Sequence, residues 1–223
     1  MSERKHTSAV AAIVIARLRI QRRLLLWCCA AATLVGCIQP HGIVTTSDPL
    51  AARLAAHSVW LAGPVFFCSL LGIAVALAQR GDEGLRQLEM CEQSAPLFGR
   101  ERARASALVP CIMATVAAFA YWLAQYISGF AAPPVFFSVA LAAVLAATLV
   151  ALSATLRQKS ARWFYVLLAF GSATIVYFFA VYFGAPGLAI GFLFCGGVSL
   201  IALRQYGEAL ARYDPIPRVT HEY

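Results

Sequence analysis

The chain has 223 residues, of which 61% are hydrophobic and only 13% are charged, and its formal net charge is +8. A soluble domain of this length has about a quarter of its residues charged, because its surface must face water. The composition therefore excludes a soluble domain, a disordered chain, a collagen-like repeat and a secreted fold built on disulfides. It predicts an all-α, polytopic membrane protein.

Residues 1–23 precede any stretch long enough to cross a bilayer. A short apolar run at 9–16 is followed by Arg17, Arg19, Arg22 and Arg23. This pattern favours an amphipathic helix along the inner face of the membrane, with its arginines reaching lipid phosphates. We expect residues 1–23 to form a cytoplasmic interfacial segment.

A short motif in the first apolar run leaves a second interpretation open. Leu34-Val35-Gly36-Cys37 matches the pattern at which bacterial lipoproteins are cut and then lipidated on the cysteine. The basic region ahead of this motif is much longer than the one in an ordinary signal peptide. We therefore expect residues 1–36 to stay in the mature protein.

The spans are predicted from the stretches that lack Asp, Glu, Lys and Arg. Runs 24–47 and 54–79 are each long enough for one crossing, which needs about 20 apolar residues, whereas runs 105–156 and 163–203 are about twice that length. The long runs must form hairpins, and breaks fit at 129–134, which holds two prolines, and at Gly184-Ala185-Pro186-Gly187. The transmembrane domain 24–203 then has six spans, near 24–43, 57–79, 107–128, 135–156, 163–183 and 187–203.

The basic residues predict the orientation of these spans, because Lys and Arg are retained on the cytoplasmic side of short loops. With the N-terminus inside, only Arg53 of the 18 Lys and Arg residues falls on the outer side. Both termini are therefore predicted to be cytoplasmic, including the tail 204–223. The net charge of +8 is then a signal of topology, and we expect no binding of nucleic acid.

The predicted membrane interior holds no ionisable residue, and such residues generally mark ion paths, proton relays or catalytic sites. His41 and His57 fall near the outer boundary, and His6 and His221 fall in the tails. We therefore expect no enzymatic activity, no metal and no cofactor in this chain. The cysteines have no Cys-x-x-Cys spacing and are interpreted as small apolar residues without a bridge.

Three spans carry distinctive side chains. Small residues at four-residue spacing favour close helix packing, within a compact bundle or a dimer. Aromatic residues crowd the fifth span, where contact with lipid is the usual explanation. The small residues are Ser138, Ala142 and Ala146, the parallel line Ala143, Ala147 and Ala151, and the pair Gly187 and Gly191; the aromatic ones are Phe164, Tyr165, Phe170, Tyr177, Phe178, Phe179, Tyr182 and Phe183.

The most hydrophilic segment is the loop 80–104, on the predicted cytoplasmic side between the second and third spans. Leu85 and Leu88 follow helical spacing, with Glu89 and Glu92 beside them, and Phe98 leads toward the third span. A short amphipathic helix joined to two spans can pass a push from a cytoplasmic partner into the membrane. A solvated connector anchored at the interface is the alternative.

This layout resembles the membrane subunits of type-2 ABC exporters, the ABC-2 permease family. The resemblance rests on an inner-face helix, six spans with cytoplasmic ends, and a loop with an acidic–Gly–Leu start, a Leu–acidic pair, a small–Pro step and a basic patch. The matching residues here are Glu83-Gly84-Leu85, Leu88-Glu89, Ser94-Ala95-Pro96 and 100–104.

The resemblance implies a permease subunit of an ATP-driven exporter, multi-pass in a bacterial inner (plasma) membrane. ATP would be bound by a separate ABC ATPase subunit, since neither lysine of the chain, Lys5 or Lys159, follows a Gly-rich phosphate loop. The ATPase contact would be formed by Leu85, Leu88, Glu89, Glu92 and Phe98. A second permease subunit, identical or different, would complete the path. A non-transporting membrane scaffold or assembly factor is the alternative function.

The tail supplies one more expectation. Arg204, Glu208 and Arg212 lie four residues apart, which predicts two ion pairs and a sixth helix that continues past the membrane. Asp214-Pro215 predicts its end.

Overall fold

The computed structural model describes residues 2–38, 58–79, 99–129, 134–156 and 159–212. These residues form helices, which confirms the predicted all-α class. The bounds are α1 (Ser2–Ile20), α2 (Arg22–Ile38), a π-helix (Ser58–Phe67) that runs into α3 (Cys68–Ala78), α4 (Gly99–Ile127), α5 (Pro134–Thr155), α6 (Lys159–Phe183) and α7 (Ala185–Arg212).

By length and composition, the helices are those of a multi-pass membrane protein. Four stretches are long and apolar enough to cross a bilayer: Ala105–Ile127, Pro134–Thr155, Trp163–Ala180 and Ala185–Leu210. Ala11–Ile20 and Arg22–Ile38 form a bent pair that gives a fifth if it counts as one span, and Gly63–Ala78 is a shorter apolar helix. The described residues thus supply four to five spans.

The two predicted breaks in the long apolar runs are confirmed, and the second break contains fewer residues than the predicted 184–187. Gly129 has φ +86° after the end of α4, and α5 starts at Pro134. Gly184 has φ +61° between α6 and α7, a backbone conformation that glycine adopts without a steric penalty. Pro186 and Gly187 belong to α7 and not to the turn, because proline is tolerated in the first turn of a helix.

Helix α5 lies at the centre of the bundle and packs against α3, α4, α6, α7 and the π-helix. In its most apolar window 61% of the residues are buried, against 28% in α6 and in α7. Each of the three hydrophobic clusters of the core includes residues of this helix, among them Val144, Ala147 and Ala143.

The burial of α5 decides whether its small residues pack within the bundle or against a second copy, the two possibilities that the sequence predicts. Ala143, Ala147 and Ala151 are fully buried inside a single chain. This line therefore serves packing within the bundle, and it is not open to a second copy. In the parallel line, Ala146 is buried as well, while Ser138 is exposed at the start of the helix.

Two further close contacts between helices involve small residues. On α2, Cys28, Ala32 and Gly36 are buried at four-residue spacing. A Cβ added at Gly36 would lie 2.8 Å from the carbonyl oxygen of Tyr121 on α4. A Cβ added at Gly72 on α3 would contact the hydroxyl oxygen of Thr148 on α5.

The contact at Gly36 bears on the lipoprotein interpretation of Leu34-Val35-Gly36-Cys37. Cys28 and Ala32 of α2 share one hydrophobic cluster with α4 residues from Val109 to Tyr121. Cleavage after Gly36 would remove both α1 and α2, and with them one wall of that cluster. The glycine of the motif has a packing role that needs no processing enzyme.

The aromatic residues of α6 mostly face outward, as the sequence predicts for lipid contact. The exposed ones are Phe164, Phe170, Phe178, Tyr182 and Phe183. Phe170 and Tyr177 also pack against Phe66, at the end of the π-helix, with ring centroids 5.5 Å apart in each pair.

Candidate functional site

The predicted ATPase contact, Leu85, Leu88, Glu89, Glu92 and Phe98, lies outside the described residues. The same holds for His41 and for the tail after Arg212. The structure instead gives the frame around this segment: α3 ends at Ala78 before it and α4 begins at Gly99 after it.

Helix α4 is a single helix of 29 residues that begins directly after residues 80–98. At about 1.5 Å per residue it is about 43 Å long. Its first turns therefore lie outside the apolar stretch Ala105–Ile127, which alone is long enough to span. A force applied at Gly99 acts on the same helix that forms the span.

The second half of α1 packs against α4, and its Val14 shares one hydrophobic cluster with residues near the end of α3. Val14 belongs to the same cluster as Val75 near the end of α3, and as Ala105 and Val109 near the start of α4. Through this cluster α1 lies at the end of the bundle where α3 ends and α4 begins. This end, made by α1, the close of α3 and the start of α4, is called the α1 base below.

Burial of Arg17 corrects one prediction. The sequence predicts that Arg17, Arg19, Arg22 and Arg23 all reach lipid, yet Arg17 is only 1% exposed, while the other three are exposed. Arg17 lies three residues after Val14 and so shares the face of α1 that packs on the bundle. A guanidinium at this position belongs to the α1 base and not to a lipid surface.

Two glutamine amides at the α1 base have unused hydrogen-bonding capacity. Gln21 Oε1 lies at the bend between α1 and α2, and Gln79 Nε2 lies at the end of α3, directly before residues 80–98. Both atoms are buried and have no hydrogen-bond partner in the described part of the chain. Because an unmade buried hydrogen bond costs about 1–3 kcal/mol, these amides favour a polar partner at this end of the bundle.

Sequence inspection missed both amides because the apolar runs were defined only by charged residues. The available signal was the position of the glutamines: Gln21 follows the basic run of α1, and Gln79 is the last residue before Arg80. A second missed polar pair is deep in α4, where Gln125 Nε2 donates to the Tyr121 hydroxyl at 3.4 Å and both residues are buried.

No group of three His, Cys, Asp or Glu residues in the described ranges is placed to hold a metal ion. The six described cysteines, Cys28, Cys29, Cys37, Cys68, Cys111 and Cys195, are free thiols. What the described residues of the α1 base offer chemically is hydrogen bonding by the buried amide atoms of Gln21 and Gln79.

The last helix confirms one of the two ion pairs predicted for it. Arg204 Nε and Glu208 Oε1 are 3.1 Å apart, with both side chains largely exposed. An exposed pair of this kind stabilises a helix by only about 0.3–0.5 kcal/mol. Helix α7 continues to Arg212, as predicted, while the side chain of Arg212 lies outside the described residues.

Comparison of the chain with models of protein families, with curated proteins and with solved structures found no match.

Proposed function

We propose that this chain is the membrane-spanning permease subunit of an ATP-driven exporter of the ABC-2 type, in the inner (plasma) membrane of a bacterium. In this proposal it has six spans, both termini are cytoplasmic, and α1 lies on the inner face. The shorter helix Gly63–Ala78, together with the π-helix before it, supplies the sixth span.

The observation that carries the proposal is the 69° bend between Ala11–Ile20 and Arg22–Ile38. If α2 crosses the bilayer, a helix turned by this angle lies closer to the membrane plane than to its normal. Exposed Arg19, Arg22 and Arg23 around the bend suit the anionic inner surface. An inner-face helix followed by a span is the arrangement that the family resemblance implies.

The α1 base supplies the second argument. Helix α3 ends at Ala78, before residues 80–98, and α4 begins at Gly99 after them; both helices share one hydrophobic cluster with α1. A partner that pushes on this segment would move α3 and α4 together. Gln21 Oε1 and Gln79 Nε2 are buried without a hydrogen-bond partner in the described part of the chain, which supports a polar partner at this end of the bundle.

ATP binding and hydrolysis belong to a separate ABC ATPase in this proposal, and the chain itself is not an enzyme. Leu85, Leu88, Glu89, Glu92 and Phe98 form the contact with that subunit. A second permease subunit, identical or different, encloses the path with this one. Because Ala143, Ala147 and Ala151 are buried, that subunit would contact surfaces other than this line of α5.

The proposed topology predicts at which positions of the chain an attached reporter protein is active. Alkaline phosphatase, which is active only outside the inner membrane, should be active when it is inserted at 130–133. It should be inactive when it is fused after Tyr223, where green fluorescent protein should fluoresce instead. Phosphatase activity at the C-terminus would mean an odd number of spans and would rule the topology out.

The proposed function predicts that the tagged full-length chain, expressed in its own host and purified in mild detergent, retains a nucleotide-binding ATPase. The double variant Glu89→Lys, Glu92→Lys should co-purify with at least about tenfold less ATPase than wild type, because it reverses the charge of both acids in the proposed contact. Glu208→Lys is the matched control: it reverses an exposed acid on the same predicted side, and the ion pair of Glu208 with Arg204 lies at the surface. ATPase retention should match wild type in this control.

A stable assembly that contains other membrane proteins and no ATPase would contradict the exporter proposal. That result would favour the alternative, a scaffold or assembly factor for another membrane complex. Equal loss of the ATPase in Glu208→Lys would place the contact outside the loop and refute the assigned residues.

A further inference from the structure

A stripe of exposed side chains runs along α1, through the bend and into α2. Helical hydrogen bonding continues across the bend, where the Gln21 N–H donates to the Arg17 carbonyl and the Leu25 N–H donates to the Gln21 carbonyl, each at 3.0 Å. Residues three or four apart therefore stay on one face. The members of the stripe follow one another at this spacing and are Ile15, Arg19, Arg22, Arg23, Leu26 and Trp27.

The middle of this stripe concentrates positive charge. Arg19, Arg22 and Arg23 lie within five residues of one another, and all three are exposed. Within the described ranges none of them forms an ion pair or a side-chain hydrogen bond. Arg17, the remaining arginine of this run, is buried on the other face of α1 and takes no part. Three like charges at one level favour an anion, and a guanidinium can donate two parallel hydrogen bonds to a phosphate.

The part of the stripe on α2 is apolar. Leu26 and Trp27, one turn after the arginines, are 67% and 75% exposed, and Leu34 and Ile38 farther along the helix are exposed as well. Helix α2 has 17 residues and is about 25 Å long, close to a hydrocarbon core of roughly 30 Å. Arginines beside an exposed tryptophan at the end of such a helix are typical of the level of lipid head groups.

The part of the stripe on α1 is apolar again, with Ile15 50% exposed and Ile20 beside the stripe 40% exposed. The 69° bend turns this helix away from the axis of α2. The arginines thus occupy a corner, with apolar side chains leading away from it along both helices. An acidic protein surface would match the arginines but not the apolar side chains of α2, whereas a phospholipid matches both.

We propose that the corner between α1 and α2 binds an anionic phospholipid, whose phosphate accepts hydrogen bonds from Arg19, Arg22 and Arg23 and whose acyl chains lie along Leu26 and Trp27. The inference rests on one part of the proposed function, the crossing of the bilayer by α2, and not on transport. Because the opposite face of α1 packs on α4, a lipid bound here holds α1 between the bundle and the membrane surface.

The test is native mass spectrometry of the full-length protein, titrated with palmitoyl-oleoyl phosphatidylglycerol. The triple variant Arg19→Gln, Arg22→Gln, Arg23→Gln removes the three charges and should bind the first lipid at least about tenfold more weakly than wild type. The single variant Arg22→Gln should bind it at least about threefold more weakly. Arg204→Gln is matched to that single variant, because it removes an exposed arginine far along the chain that already pairs with Glu208. Its affinity should stay within about twofold of wild type.

Two further probes separate the charge from the chains. Phosphatidylcholine with the same chains carries no net charge and should bind at least about fivefold more weakly than phosphatidylglycerol. Glycerol 3-phosphate has the phosphate without the chains and should not displace the bound lipid. Equal affinities for the two phospholipids overturn the proposal, and so does displacement by glycerol 3-phosphate.

The variants give the remaining outcomes. Wild-type affinity in the folded triple variant overturns the proposal, as does a loss in Arg204→Gln equal to that in Arg22→Gln. If the triple variant yields no folded protein, Arg22→Gln, which changes one exposed side chain, decides in its place. Loss of a co-purifying ATPase from the triple variant with unchanged lipid affinity would assign the arginines to a protein partner. Reporter activity and ATPase retention in wild type test the proposed function separately from lipid affinity.

Discussion

Replacing Gly187 with alanine should lower the free energy of unfolding by about 1–3 kcal/mol, the usual cost of overpacking a tight site. The added Cβ would contact the backbone carbonyl oxygen of Phe179 on α6 and would lie 3.0 Å from the Cβ of Phe183. A backbone atom cannot rotate away as a side chain can. The first turn of α7 would have to separate from α6, and the effect would be seen as a lower midpoint in heating or dodecyl-sulfate titration of a fluorescent fusion.

Gly197→Ala is the matched control for Gly187→Ala. It makes the same chemical change on the same helix, where a Cβ meets no atom within 4 Å. We expect its midpoint to stay at or slightly above that of wild type, because alanine favours a helix over glycine by about 1 kcal/mol. Equal losses in the two variants would mean that the contact with Phe179 does not decide the result, because helix propensity alone would stabilise both variants.

Replacing Ala147 with leucine should reduce the yield of folded monomer or lower its free energy of unfolding by about 1–3 kcal/mol or more. Ala147 is fully buried in α5, in the cluster that also includes Ile73, Ala76 and Ala169 from neighbouring helices. There is no space for three more carbon atoms unless those helices move. Size-exclusion chromatography of the fluorescent fusion, before and after heating, measures the loss.

Ala189→Leu is the control for this second prediction, because Ala189 of α7 is exposed and its larger side chain would face lipid. Its folded yield should match wild type. A result in which Ala147→Leu changed only the ratio of dimer to monomer would show that α5 contacts a second copy, against the burial described above.

Composition and turn residues carried most of what could be predicted of the fold. The charged fraction indicated a membrane bundle, and the sites at Gly129 and Gly184 indicated where the long apolar runs turn. These features depend on local chemistry: positive φ at glycine, a missing donor at proline, and the length needed to cross hydrocarbon.

Which helix would lie at the centre could not be predicted, and the reason is physical. Lipid tails are as apolar as leucine, so an inward face and a lipid-facing one can have the same hydrophobicity. The alanines of α5 predicted close packing but not whether the partner was the same chain or another. Arg17 was assigned to lipid for a similar reason, since its charge gave no sign that Val14, on the same face of α1, packs against the bundle.

The candidate site likewise has one part that could be recognised in the sequence and one part that could not. The segment with Glu89 and Glu92 was recognised because it concentrates acidic residues in one loop, and that assignment stays a prediction. The amides of Gln21 and Gln79 carry no charge, so nothing in the pattern set them apart. Their significance comes from burial without a hydrogen-bond partner, which only a three-dimensional arrangement can reveal.

The hydroxyl groups of α5 have a consequence for the order in which the protein can be made. Thr148 donates to Val144, Ser153 to Val150 and Thr155 to Leu152, each within the helix itself at 2.7 Å. During synthesis α5 can therefore pass from the translocon into lipid before α6 and α7 have been made, because each of these three hydroxyl groups already has a hydrogen-bond partner within the helix. Its alanine surface is apolar and can also contact lipid tails. The helix that ends up most enclosed is one that can be inserted early and surrounded later.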